Sequence, residues 1–302
     1  MAWTEISISV TQDDAALAEL ILEELGALAV TLQDDEDNPV LEPEPGTTPL
    51  WPTVQVRGLF ERDTDRDRVL AALGAVPGAE RPDRFRWRNI GDRDWERAWL
   101  ERFAPMQFGR QLWIVPGGMQ IPFDPNNIEI RLDPGLAFGT GTHPTTALCL
   151  RWLDSQEVRG AAVVDYGCGS GILGIAAALK GARRVVCVDN DQQALEATAD
   201  NAARNGVSTI IECCTPQEYQ RELADVVMAN ILAAPLILLA PRLLAALRPG
   251  GLIALSGILN VQADEVLAAY RAGLLEAATQ TEQEWVLIHG RSDPETPGAP
   301  RE

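Results

Sequence analysis

From residue 162 onward the chain alternates short apolar runs with helix-patterned stretches, and no other feature restricts its fold so tightly. Strand-like runs cover residues 162–166, 184–188, 209–213, 225–230, 252–256 and about 284–289. Between them, apolar residues recur at helical spacing over residues 171–180, 191–205, 235–247 and 261–271. Strands alternating with helices are joined by crossovers, so they lie parallel in one sheet with helices on both faces. Residues 105–290 are therefore predicted to form an α/β domain, entered through short strands and a helix near residues 144–154. Ligands of open sheets bind outside the C-terminal ends of the strands, so the residues closing each strand are the first candidates for chemistry.

Residues 1–90 are patterned differently. Residues 5–10 alternate as a strand, and Thr11 with Asp14 makes a T-x-x-D start for a helix ending near Gly26. Strands over residues 27–33, 53–60 and 84–90 and a helix over residues 64–73 complete the order β-α-β-β-α-β, that of an α+β ferredoxin-like fold. Such modules bind or present partners more often than they carry chemistry. An acidic, Pro-rich stretch at residues 34–50 reads as a mobile loop. Residues 91–104 read as a linker helix with Trp95, Trp99 and Phe103 on one stripe, a packing surface. Residues 291–302, rich in Pro and Glu, read as a disordered tail.

Charge and cysteine content narrow the partners. A net charge of −19 opposes binding to a phosphate backbone, so no direct nucleic-acid binding is expected, whereas a basic protein is attracted. No apolar run reaches the roughly 20 residues that cross a bilayer, and the start lacks a secretory pattern. The expected location is cytoplasmic, with no membrane partner. The five cysteines form no C-x-x-C pair, so neither a disulfide framework nor a metal site is expected.

Residues 163–171 read Val-Val-Asp165-Tyr-Gly167-Cys-Gly169-Ser-Gly171. A glycine-rich turn between strand and helix lets the backbone approach a ligand and presents amide N–H groups at the helix start. Two cofactor classes compete for it. Gly169, Gly171 and Gly174 satisfy G-x-G-x-x-G with Asp189 about twenty residues on, as a dinucleotide site requires. Asp165, however, sits at the strand end just before the glycine turn, where a carboxylate repels a pyrophosphate but suits the ammonium of a methionine. Asp189 can accept both ribose hydroxyls of either cofactor. Asn230 closes the strand at residues 225–230 with an amide directed at the crevice. Together these favour S-adenosylmethionine over a nicotinamide dinucleotide; a glycine turn used only for packing is the plainer alternative.

The segment Leu132-Asp-Pro-Gly-Leu-Ala-Phe138-Gly-Thr-Gly-Thr142-His143-Pro-Thr145-Thr146 is a shaped loop running into a helix. It can cover a cofactor and exclude water. Phe138 can stack on a base or plug the domain. His143 has no Ser or Cys partner for nucleophilic work and reads as structural.

That loop, the glycine turn, Ala229-Asn-Ile-Leu-Ala233 and Leu255-Ser-Gly-Ile-Leu259 closely resemble the ribosomal protein L-eleven methyltransferase family. The resemblance spans nearly the whole chain, densely in the second domain and by layout in the first. It implies a Rossmann-like class I methyltransferase domain, with a mostly parallel seven-stranded sheet, beside the small ferredoxin-like domain. It also implies methyl transfer from S-adenosylmethionine to lysine or N-terminal amines of that basic ribosomal protein. Cofactor contacts would fall on Thr145, Thr146, Gly167, Asp189 and Asn230; the residue-level reading adds Asp165, Gly169, Gly171 and Phe138. The small domain would recognise the substrate, and the linker helix would let it present different amines. A monomer is favoured.

Asn230 is the candidate catalytic residue, orienting the amine by accepting its hydrogens. No dedicated general base is expected, because burial and a neighbouring sulfonium both lower an amine's pKa. Tyr166 and Asn190 depart slightly from motifs whose neighbours fit, and the acidic insertion and tail are peculiar to this chain. Two further readings remain. Base methyltransferases often follow this Asn or Asp with Pro-Pro-aromatic, whereas Asn230 is followed by Ile-Leu-Ala. An assembly factor with a vestigial cofactor site is disfavoured by the intact glycines, Asp189 and Asn230. The single lysine, Lys180, is better explained by a GC-rich genome than by protection from self-modification.

Overall fold

In the first of two units (Met1–Ala98), four strands pair antiparallel in the order β2-β3-β1-β4. They are β1 (Trp3–Thr11), β2 (Ala29–Asp34), β3 (Thr53–Glu61) and β4 (Phe85–Ile90). With helices α1 (Gln12–Glu24) and α2 (Arg66–Leu73) they make the β-α-β-β-α-β ferredoxin-like arrangement. The core follows from alternation along the strands. Ile6, Ile8, Val10, Val54, Val56 and Phe60 meet Ala15, Ala18 and Leu22 of α1 and Val69 and Leu73 of α2.

The helix starts show how local chemistry sets boundaries. Thr11 precedes α1, but its hydroxyl donates to Asp14 Oδ2 at 2.6 Å instead of accepting a backbone amide. The α2 helix begins after Asp65, whose carboxylate accepts the Asp67 and Arg68 amides, so its start lies two residues beyond Thr64.

The computed structural model describes residues 3–36, 50–77, 85–90, 104–132, 143–220 and 223–293. The linker-helix prediction, apart from residue 104, and most of the acidic loop lie outside the described residues, as does the tail beyond residue 293.

In the second unit (Trp99–Glu302), β5 (Met106–Phe108), β6 (Leu112–Val115) and β7 (Ile128–Arg131) form a small sheet before α3 (Pro144–Ser155). The main sheet then builds from β8 (Ala162–Tyr166), α4 (Ile172–Leu179), β9 (Arg184–Val188), α5 (Gln192–Arg204) and β10 (Ile211–Cys214). It continues with β11 (Ala224–Asn230), α6 (Ala233–Ala245), β12 (Leu247–Leu259), α7 (Ala263–Tyr270), β13 (Leu274–Glu282) and β14 (Trp285–Ser292). The order is β10-β9-β8-β11-β12-β14-β13, parallel through β12 and antiparallel at β14 and β13. This is the mostly parallel seven-stranded sheet that the resemblance implies.

Two features differ from expectation. The β13 strand is absent from the sequence reading because it is an edge strand, almost wholly exposed after Leu274, so it carries little apolar alternation. Its pairing with β14 extends the sheet to Ser292, so residues 291 and 292 belong to the sheet and not to a tail. Among the described residues, no helix is long and apolar enough to cross a membrane. The chain order reverses at β8, which has β9 on one side and β11 on the other; in open α/β sheets ligands bind outside the C-terminal strand ends at such a point.

Candidate active site

Strand pairing at this switch point sets Asp165 beside both Cys187 and Met228, and Asn230 beside Ser256. The turn after β8 is left-handed at Gly167, Gly169 and Gly171, with φ of 78°, 55° and 77°. Only glycine adopts such a run without strain. Space adds a second constraint, since a Cβ at residue 167 would sit 2.2 Å from Ile231 Cγ2 and one at residue 171 would sit 2.6 Å from Thr198 Cγ2.

Neighbouring elements hold the turn rigid. The Gly167 and Cys168 amides donate to the Val188 carbonyl at 2.7 and 3.1 Å. From α5, the Thr198 hydroxyl donates to the Gly169 carbonyl at 3.0 Å and Asn201 Nδ2 to the Ser170 carbonyl at 2.9 Å. Sequence reasoning missed these two residues. Their spacing of three on one helix was a visible signal, because it places both on the same face.

Asp189 joins the turn to the next strand end. Its Oδ2 accepts the Gly169 amide at 2.9 Å and its Oδ1 accepts the Asp191 amide at 3.0 Å. A carboxylate has about four acceptor positions, so capacity remains for a ligand's hydroxyls. Asp165 lies deeper, only 1% exposed, with Oδ2 accepting the Gly174 amide at 2.8 Å. Burial is the main force raising its pKa to about 7; the Gly174 hydrogen bond opposes the rise and the Asp189 charge adds to it.

At the end of the neighbouring strand β11, half-buried Asn230 donates through Nδ2 to Thr146 Oγ1 at 3.3 Å. Thr145 and Thr146 are buried in the first turn of α3. His143 is the N-cap of that helix: Nδ1 accepts the Thr145 amide at 3.4 Å and lies 2.8 Å from Thr145 Oγ1. The imidazole also meets the Trp285 ring edge-on, with centroids 4.8 Å apart. The capping role was signalled in the sequence by the following proline, since Pro favours the first helical position. The Trp285 contact had no local signal.

Of the predicted site residues, the structure gathers Asp165, Gly167, Gly169, Gly171 and Asp189 around one turn. It joins Asn230 to Thr146, beside Thr145. Ile231 links the groups, since its side chain occupies the space that a Cβ on Gly167 would need. Phe138 lies outside the described residues. The arrangement can cradle a nucleoside with a cationic tail and present an amide where a nucleophile would approach.

Comparison with known proteins bears on what that nucleophile is. Residues 2–293 match the sequence profile of the family described as Ribosomal protein L11 methyltransferase (PrmA). A protein of that name from Azotobacter vinelandii is 53% identical over 291 residues, covering 96% of this chain and 99% of that protein. One from Pseudomonas paraeruginosa is 51% identical over 292 residues, with 96% and 99% covered. The crystal structure of a ribosomal protein L11 methylase from Lactobacillus delbrueckii subsp. bulgaricus is similar with a TM-score of 0.57 at 33% identity. It covers 63% of this chain and 100% of that one.

Proposed function

Because the chain belongs to the ribosomal protein L11 methyltransferase family, we propose that it transfers methyl groups from S-adenosylmethionine to amines of that ribosomal protein. Lysine side chains and the N-terminal α-amino group are the candidate acceptors. The observation that carries this reading is that the neighbouring strands β8 and β11 end side by side in the glycine turn and Asn230, with Asp189 hydrogen-bonded to that turn.

The residues present suit the cofactor. The left-handed glycine turn at residues 167, 169 and 171 sets the Gly169 amide on Asp189, and Asp189 keeps acceptor capacity for ribose hydroxyls. Asp165 would hold the ammonium, Thr145 and Thr146 would line the cofactor with the glycines, and Phe138 would stack on the base. When bound, S-adenosylmethionine supplies an electrophilic methyl on a sulfonium.

The protein's task is then alignment of an in-line displacement. Asn230 has its NH2 group engaged by Thr146, which leaves carbonyl Oδ1 as the end that accepts the incoming amine's hydrogens. The amine must arrive uncharged. A lysine, with a pKa near 10.4 in water, needs an apolar site to lose its proton, whereas an α-amino group near 8 needs less help. The proton leaves to solvent before attack, so no side chain is required as a base. Asn230→Ala should lower turnover by about 10²-fold, the scale of losing one oriented polar group. Turnover and cofactor affinity both equal to wild type would contradict the assignment.

The remaining parts fit the same reading. Residues 1–90 would recognise the substrate and residues 91–104 would connect that module to the catalytic domain of residues 105–290. Leu17, Leu20 and Leu28 of the small unit are 41%, 52% and 53% exposed and offer apolar contact. The charge of −19 attracts a basic protein and repels nucleic acid. The enzyme would act in the cytoplasm as a monomer.

A further inference from the structure

Asn230 is held from two directions. Its backbone pairs with Ser256 of β12, and its side-chain NH2 donates to Thr146 in the first turn of α3. A helix start leaves four amides without partners inside the helix, so the geometry of that turn depends on its cap. Pro144 removes one of those donors, and His143 Nδ1 takes the next, that of Thr145.

Histidine is an unusual choice for this task, since Ser, Thr, Asp and Asn cap better. The imidazole does what those side chains cannot, reaching Trp285 with ring centroids 4.8 Å apart and planes at 68°. Edge-to-face ring contacts of this kind are favourable beyond the area they bury. Trp285 is 8% exposed and opens β14, where it pairs with Leu259 at the end of β12. The strand that flanks Asn230 on one side is thus tied through β14, Trp285 and His143 to the helix that holds its amide on the other.

We infer that His143 is a positioning residue for methyl transfer: capping α3 and braced by Trp285, it fixes the Thr146 hydroxyl that keeps the Asn230 amide in its productive orientation. The inference rests on the methyltransferase reading above. Loosening the turn lets the Thr146 hydroxyl rotate and the Asn230 amide flip. A flipped amide presents NH2 where the amine needs an acceptor, and two donors then face each other. Cap acceptance requires an unprotonated Nδ1, and the partial burial of the imidazole lowers the His143 pKa in the direction that favours this form.

The test uses the full-length enzyme with labelled S-adenosylmethionine and the ribosomal protein, with cofactor affinity measured in parallel by calorimetry. His143→Ala should lower kcat on the order of ten- to a hundredfold, the cost of a small misalignment, with KM and cofactor Kd within about threefold of wild type. His143→Asn restores the cap without the brace and should recover part of that loss; Trp285→Ala keeps the cap without the brace and should cost less than His143→Ala. Wild-type kcat in His143→Ala, a loss confined to KM or Kd, or no recovery in His143→Asn would each overturn the inference. Should the alanine variant not fold, the nearly isosteric Thr146→Val probes the same relay, and an unchanged kcat there overturns it. An inactive wild-type enzyme would instead overturn the function on which the inference depends.

Discussion

Asp165, near the end of β8, has a carboxyl whose pKa burial pushes up to about 7, against about 3.9 for an unfolded aspartate. Between those values the folded chain holds a proton that the unfolded chain has lost. The stability this group contributes is fully present below about pH 3.9 and is lost as pH rises through 7, by up to about 1.4 kcal/mol per unit. Urea midpoints should therefore fall less between pH 5 and 8 in Asp165→Asn than in wild type. A cationic ligand favours the carboxylate, so S-adenosylmethionine should bind more tightly at pH 8 than at pH 6. Calorimetry at the two values checks this, and pH-independent affinity would contradict a contact with Asp165. Gly167 makes a second, steric prediction. An alanine there combines φ of 78° with a Cβ 2.2 Å from Ile231 Cγ2, so Gly167→Ala should cost about 1–3 kcal/mol in thermal melts and weaken cofactor binding. The glycines and Asp189 were legible in the sequence because a strand, a turn and the next strand end are close in the chain. The Thr146–Asn230 hydrogen bond was not, since 84 residues separate the partners and no local pattern couples a hydroxyl to an amide that far away.

Among the elements, the parallel strands and their helices were readable because buried strands are nearly continuous apolar runs. The β13 strand escaped, and with it the hairpin that places Trp285 against His143. Exposed on nearly its whole length, it is defined by backbone pairing and not by hydrophobic period. The capping of α2 by Asp65 shows the other limit, because Thr64 and Asp65 are both good caps and the choice between them is geometric. Packing between α6 and α7 yields a prediction at this scale. The buried Tyr270 hydroxyl donates to the Leu236 carbonyl at 2.8 Å. Tyr270→Phe removes this donor from a carbonyl that the α6 helix ladder still serves and should destabilise the fold by about 0.5–1.5 kcal/mol in urea titrations, with methyl transfer nearly intact. By contrast, the Arg151–Glu282 pair joining α3 to β13 is partly exposed, so its loss should register less than about 1 kcal/mol.

At the scale of the whole molecule, charge and exposed apolar surface set how a substrate is met. With a net charge of −19, association with a basic protein should weaken as salt rises, so KM should increase between low and physiological ionic strength while kcat stays nearly constant. The two-unit plan was legible because the pattern of strands and helices changes between residues 90 and 105, and the sequence names the cofactor class more firmly than it names the acceptor amine. The central claim is that the crevice formed by the glycine turn, Asp189 and Asn230 moves a methyl group from S-adenosylmethionine to amines of ribosomal protein L11. Incubating the enzyme with labelled S-adenosylmethionine and that protein, then mapping the label by mass spectrometry, tests it most directly. Label on lysine or N-terminal amines, strongly reduced in Asn230→Ala, is the predicted result. An unlabelled substrate with a wild-type enzyme that binds S-adenosylmethionine would contradict it.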